Sequence, residues 1–519
     1  MGFRRSRREF LSYATVAGVG ALAGLALPPP PVRAQQGPAA AYDEFIDHDA
    51  LALAELIRDG TVTPQELLDI VVRRIETSNA TLNFMTTQTF SRARKKAASI
   101  SVDTPFAGVP FLMKDMIDVG GVLRTDGSRF LANNVPKKNV AYVDAIEEAG
   151  LNIVGMTNVP EFASLVLTSN DLFGATRNPW NLDYSTFTSS GGAASAVSAG
   201  AVPMAHGTDG AGSCRLPASA TGILGMKASR LRMLSGEADG GHDVAKTNQV
   251  LSRTVRDSAA LLNCTEDKSG RFFPPMGYVN GPSKRRLKIG LITDSEGLVD
   301  IEKDVHLALE DVARLLQDLG HEVVATSYPS NSEDFCNGYF AFSAGRLEGL
   351  KTLVEKVSGT SVAASGLLTH WTASFLESLS TDPDADIGPQ KAYLDTLPGR
   401  FADCFTRFDL LLTPVSPVVC PKLDEASPGD EFTMERFRDM MGKLKFTGPV
   451  NFGGNPAMSV PLGWASLSAV PIGAHFIAAN GDDRTLYQLA YELEESRPWR
   501  SSWAPHSLQH IDVEPDIRI

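Results

Sequence analysis

Hydrophobic and polar positions along the chain alternate between two grammars. Leu67, Leu68, Ile70, Val71, Val72 and Ile75 recur at helical spacing behind Thr63-Pro64-Gln65-Glu66, a capping box with proline at the first helical position. Ala107–Met113 is a short apolar run that predicts a buried strand ending on Lys114. A helix is predicted from about Asn139 to Ala149, stopped by Gly150, then a strand at Leu151–Val154. Next come a small-residue helix at Gly192–Gly200, a strand at Ala201–Ala205 and a Gly-rich turn at Asp209–Arg215. The same grammar resumes with strands at Leu287–Ile292, Glu322–Ala325 and Leu410–Val415. Between the first two lies a helical stripe from Val305 to Leu319. Residues from about 330 to 400 are patterned as helix, and Gly448–Pro461 is rich in Gly, Pro and Asn, with a pocket-lining loop expected around Gly448–Asn455. Strands alternating with helices predict an α/β fold, with reactive groups near strand ends. No Gly/Ser linker divides the chain, so one large domain over residues 35–519 is expected. Residues 330–400 would be its helical, pocket-forming part.

The first 34 residues read as a targeting segment. Ser6-Arg7-Arg8-Glu9-Phe10-Leu11 has the twin-arginine form, an Ala/Gly-rich apolar stretch follows, and Val32-Arg33-Ala34 offers a small-x-small cleavage site. The stretch is too short for a membrane span. Export to the periplasm or medium is the expectation, with no stable membrane association after cleavage. The formal net charge of -13, despite five arginines in that leader, excludes nucleic acid as a main partner. Five scattered cysteines and nine dispersed histidines give neither a disulfide framework nor metal-ligand spacing, so no metal and no cofactor are expected.

The chemistry concentrates in three places. Ser189-Ser190-Gly191-Gly192 and Gly210-Ala211-Gly212-Ser213 set two serines in glycine-rich frames, and Lys114 ends an apolar strand upstream. A serine hydroxyl needs a base, and a lysine serves as one only when burial favours its neutral form. Asp115, the next residue on the strand, would point to the opposite face. The amides of Gly210, Ala211, Gly212 and Ser213 can approach a ligand oxygen closely and form an oxyanion hole. A Walker phosphate loop is excluded, because no Gly-Lys-Ser/Thr follows.

Together these segments, with Gly108–Asp118, Thr157–Phe162, Asn178–Asp183, Leu251–Asp257 and Gly454–Pro461, resemble the amidase signature family of serine hydrolases. The resemblance implies a mixed twisted sheet flanked by helices on both faces. It implies hydrolysis of a small-molecule carboxamide through a seryl acyl-enzyme, with esters or carbamates as side substrates. It makes Ser213 the nucleophile, Ser189 the relay behind an expected cis peptide, and Lys114 the base. Ser190 would help hold the lysine, and Asp209 and Arg215 would brace the turn. Gly174–Trp180 and Ala205-His206-Gly207 are most similar to the members that hydrolyse the cyclic dimer of 6-aminohexanoate. Phe187 and Thr188 stand where the family usually has glycines; with Cys336 and Asn451 they are the candidate substrate contacts. The competing readings are an amidotransferase-type transamidating subunit and a non-catalytic binding protein on the same scaffold. A homodimer is the assembly considered.

Overall fold

The computed structural model describes residues 45–293, 297–379 and 388–510. The targeting segment expected at 1–34 lies outside these residues. All described residues belong to one compact unit.

Its centre is an eleven-stranded mixed sheet. In chain order the strands are β1 (Met85–Gln88), β2 (Pro110–Lys114), β3 (Asn152–Thr157), β4 (Met204–Asp209), β5 (Leu224–Lys227), β6 (Thr247–Ser252), β7 (Lys288–Leu291), β8 (Glu322–Ala325), β9 (Leu410–Pro414), β10 (Ala457–Trp464) and β11 (Pro471–Ala478). In space they run β1-β3-β2-β4-β6-β5-β10-β11-β9-β7-β8. β2 lies parallel to both β3 and β4, whereas β5, β6, β10 and β11 pair antiparallel. Alternate residues of a strand face opposite sides of the sheet. Leu410 and Leu412 of β9 pack into one hydrophobic cluster and Leu411 into another, so both faces are covered. That is the expected α/β architecture.

The capping box closes as predicted, with Glu66 N donating to Thr63 Oγ1 at 3.1 Å and Thr63 N to Glu66 Oε2 at 2.9 Å. Its helix, Pro64–Leu82, buries Leu67, Leu68, Val71, Val72 and Ile75. Two boundaries move. The strand expected at Ala201–Ala205 is Met204–Asp209, because Pro203 cannot donate to a ladder and pairing begins after it. The Gly448–Asn455 stretch is not a loop: Gly448–Gly453 is a helical turn with Pro449 in its first turn, and β10 follows.

β2 is buried from end to end between two parallel neighbours, and it delivers Lys114 to its C-terminal edge. Beside it, Ser189 and Ser190 immediately precede the Gly191–Ser198 helix. That helix packs so tightly that a Cβ on Gly192 would lie 2.5 Å from Asn158 N and 2.8 Å from Phe84 O. Gly192→Ala is therefore expected to destabilise the protein by about 1–3 kcal/mol through forced backbone shifts, read as a lowered urea midpoint with an unchanged m-value.

Candidate active site

Lys114 is fully buried, and its ammonium nitrogen is ringed by oxygen atoms. Nζ lies 2.7 Å from Ser189 Oγ, 2.8 Å from Thr208 Oγ1, 3.0 Å from Ser190 Oγ and 3.3 Å from the Thr208 carbonyl. None of these partners is an anion. Burial, the largest influence, therefore pushes the amine down to about 7; Cys214 opposes it, Lys246 adds a smaller push downward, and Asp209 opposes more weakly still. Asp115 turns away, as strand alternation requires. Its carboxylate accepts from Thr125 N at 2.8 Å, Thr125 Oγ1 at 2.5 Å and Thr86 Oγ1 at 3.2 Å. Burial lifts it to about 7 against those bonds.

Ser213 sits between β4 and the helix Arg215–Thr221, in a turn built around the Asp209 carboxylate. That carboxylate accepts Gly212 N at 2.8 Å and Cys214 N at 3.1 Å, the two amides flanking Ser213. Arg215 answers its charge with Nε at 2.9 Å and Nη2 at 2.8 Å. Burial alone would raise Asp209, but the guanidinium outweighs it and holds the carboxyl far below its usual range. Gly212 is at φ +122, and a Cβ there would strike Thr447 Oγ1 at 2.4 Å, so only glycine closes the turn.

Four expected roles change. The Gly212 amide is spent on Asp209, which leaves Gly210, Ala211 and Ser213, whose amides carry no partner among the described residues, as the candidate oxyanion donors. Asn451 does not reach a substrate. It is buried, accepts Arg215 Nη2 at 2.6 Å, and donates to the Asp209 carbonyl at 2.9 Å and the Ala245 carbonyl at 3.0 Å. Cys336 is buried in the hydrophobic cluster with Phe335 and Phe452, away from the cavity wall. Phe187 likewise points into that cluster, 2% exposed. Its backbone at φ +61 is left-handed, which glycine adopts freely and phenylalanine does not. Thr168 Oγ1 donating to its carbonyl and Ser185 Oγ accepting its N–H, both at 2.9 Å, hold it there. Thr188 does line the cavity, with its hydroxyl donated to the Leu165 carbonyl.

Two contributors were not legible in sequence. Thr208 gives the lysine two of its four oxygen neighbours. His475 of β11 extends the brace under the turn: its Nε2 lies 2.9 Å from Arg215 Nη1, and its Nδ1 lies 2.9 Å from Thr413 Oγ1. Arginine can only donate, so Nε2 accepts and the ring is neutral with its proton on Nδ1. Burial and the adjoining guanidinium hold it well below the usual histidine range. Thr208 lies inside the Gly207–Ser219 segment that carries the family resemblance, though no role was expected of it, and His475 belongs to no motif in the sequence.

Ser189 and Ser213 line one cavity of about 200 Å³, together with Thr208, Gly210 and Ala211. Its far wall is aromatic, drawn from Ser332–Ser358, His370–Ser378 and the Met434–Lys443 helix, so the pocket extends beyond the expected 330–400.

The Amidase family profile matches residues 66–487, and with it the chain belongs to the amidase signature family, hydrolases of the amide C–N bond. The AmiC protein of Mycobacterium tuberculosis is 33% identical over 475 residues, covering 89% of this chain and 98% of that protein. The 6-aminohexanoate-cyclic-dimer hydrolase of Paenarthrobacter ureafaciens is 30% identical over 87% of this chain and 95% of its own. A solved 6-aminohexanoate cyclic dimer hydrolase with substrate superposes with a TM-score of 0.78 at 28% identity, covering 89% of this chain and 99% of its own.

The brace makes its own prediction. His475→Phe leaves Arg215 Nη1 buried without an acceptor and should cost about 1–3 kcal/mol. His475→Gln retains an acceptor and should cost less, both read by urea denaturation.

Proposed function

We propose that this amidase works through a Ser213–Ser189–Lys114 relay, on a small amide of the aminohexanoate type, with esters or carbamates as side substrates. The observation that carries the reading is the Lys114 Nζ contact to Ser189 Oγ at 2.7 Å, made by an amine that burial brings to about 7. A neutral amine at that distance has a lone pair for the Ser189 proton. Ser189 in turn takes the proton of Ser213 as Ser213 Oγ attacks the carbonyl carbon. The free amides of Gly210, Ala211 and Ser213 would receive the developing oxyanion. Collapse breaks the C–N bond, and the proton returns along the relay to the leaving nitrogen. Water then repeats the attack on the acyl-enzyme and releases the acid. Ser190 and Thr208 keep the lysine aimed. The likeness to the cyclic-dimer hydrolases supports the aminohexanoate assignment.

Ser213→Ala and Lys114→Ala should each lower kcat about 10⁴-fold or more on an anilide substrate; full activity in either overturns the relay. Because the neutral amine is the working form, wild-type kcat/KM should rise with pH through about 7 and level off above it. A flat profile from pH 5.5 to 9 speaks against the lysine as base. We also propose that residues 1–34 direct twin-arginine export. A reporter fused behind them should reach the periplasm, and should fail to when Arg7 and Arg8 are both replaced by lysine.

A further inference from the structure

We propose that Tyr339, Ser343 and Arg346, on one face of the Ser332–Ser358 helix, form an acid-recognition subsite, so that the enzyme takes small amides carrying a free carboxylate away from the scissile bond. The inference rests on the seryl acyl-enzyme reading above and narrows its substrate class.

The three positions fall at i, i+4 and i+7 of one helix, and all three side chains line the cavity that holds Ser189 and Ser213. The stripe is about 10 Å long. Tyr339 stands at its deep end, with its ring 5.8 Å from that of Phe335 and edge-on to Phe452 at 6.0 Å, both buried. Arg346 stands at the mouth, half exposed.

The polar atoms of this stripe are unspent. Neither hydroxyl makes a hydrogen bond among the described residues, and neither does the guanidinium. Its ionic contact is to Asp243 Oδ2 at 3.7 Å, beyond hydrogen-bond reach. Asp243 does not depend on that contact, because its Oδ1 accepts Ala245 N at 2.8 Å and Lys246 N at 2.9 Å. The other charges on the wall are committed. Asp126 accepts Arg124 Nε at 2.7 Å and Nη2 at 3.0 Å, and Lys246 Nζ lies 2.5 Å from Glu237 Oε1. Arg346 is the cation of this wall still open to a ligand.

The donors of the stripe define their ligand. A guanidinium only donates, and it offers two parallel N–H groups that match the two oxygens of a carboxylate. The hydroxyls of Ser343 and Tyr339 can donate to the same kind of acceptor. An ammonium would find no acceptor on Arg346 and would meet its like charge. A neutral carboxamide accepts a hydrogen bond but forgoes the opposite charge. Phe342, Trp371, Phe375 and Phe432 share the cavity wall, so the part of the substrate between amide and acid is apolar. The subsite shares no group with the relay. Its contact is the same before and during attack on the carbonyl, and its contribution falls on KM rather than kcat.

The test compares matched anilides in two series. In one, p-nitroanilides carry a carboxylate, a carboxamide or an ammonium at the far end of the acyl chain. In the other, hexananilides carry the same groups on the ring of the departing amine. In at least one series the carboxylate should exceed the carboxamide in kcat/KM by about tenfold or more, through KM. The series that shows it tells which side of the scissile bond the subsite serves. Arg346→Met, close in length, should reduce that ratio about tenfold, and Arg346→Lys should retain part of it. A change that merely loosened the helix would slow all three compounds alike and leave the ratio where it was. Equal turnover of carboxylate and carboxamide in both series overturns the proposal, as does a faster ammonium compound or a ratio unmoved in Arg346→Met. If no compound is turned over and Ser213 fails to label with a fluorophosphonate, it is the acyl-enzyme reading that falls, and the inference falls with it.

Discussion

The Asp209 carboxylate organises this site by attracting backbone as well as side chain. One buried anion gathers the amides on both sides of Ser213, the guanidinium of Arg215 and the amide of Asn451. An isolated carboxylate at that depth would be protonated; the opposing charge and the converging donors keep it ionised. Ser213 is thus held by a shell satisfied on every side rather than by its own contacts. Arg215 in turn is kept in plane by His475, Asn451 and the Thr447 carbonyl. Breaking one buried partner of such a network costs more than the pair itself contributes, because the survivor is stranded.

The same strand edge shows how burial brings a lysine down to about 7. Lys114 and Asp115 are adjacent in sequence, yet both sit near 7 because each is buried among hydroxyl and amide groups instead of facing the other. Alternation along the strand puts them on opposite sides of the sheet. On one side they would form an ion pair, and the amine would stay charged through the neutral range. Two nearby cysteine and histidine side chains, Cys214 and His206, are likewise held uncharged by burial. The charges that act on the lysine are therefore those of Asp209, Lys246 and Asp126, none of them in hydrogen-bond contact with it.

What was legible in the sequence is what short-range rules govern. The capping box at Thr63, the all-apolar strand ending on Lys114, the glycine turn and the direction of Asp115 follow from composition within a few residues, and all are found. The amidase family was readable because its motifs are dense in glycine and serine at fixed spacing. The misread residues depend on pairing across the sheet. Asn451 lay in a stretch that looked like a pocket loop, but a 242-residue separation in sequence closes on the Asp209 carbonyl. His475 carries no local signature, and Thr208, though inside the Gly207–Ser219 motif, acquires its role only where β4 brings it beside Lys114. Phe187 looked like bulk aimed at substrate, but the left-handed backbone turns its ring into the core.

The residues of the proposed relay lie within the first 213 positions, whereas the clamp beneath the glycine turn is completed by Thr447, Asn451 and His475, near the far end. A polypeptide still emerging from the ribosome owns the lysine and both serines long before it owns the residues that hold the turn. The turn around Ser213 therefore reaches its final geometry only once the C-terminal part of the chain has been added.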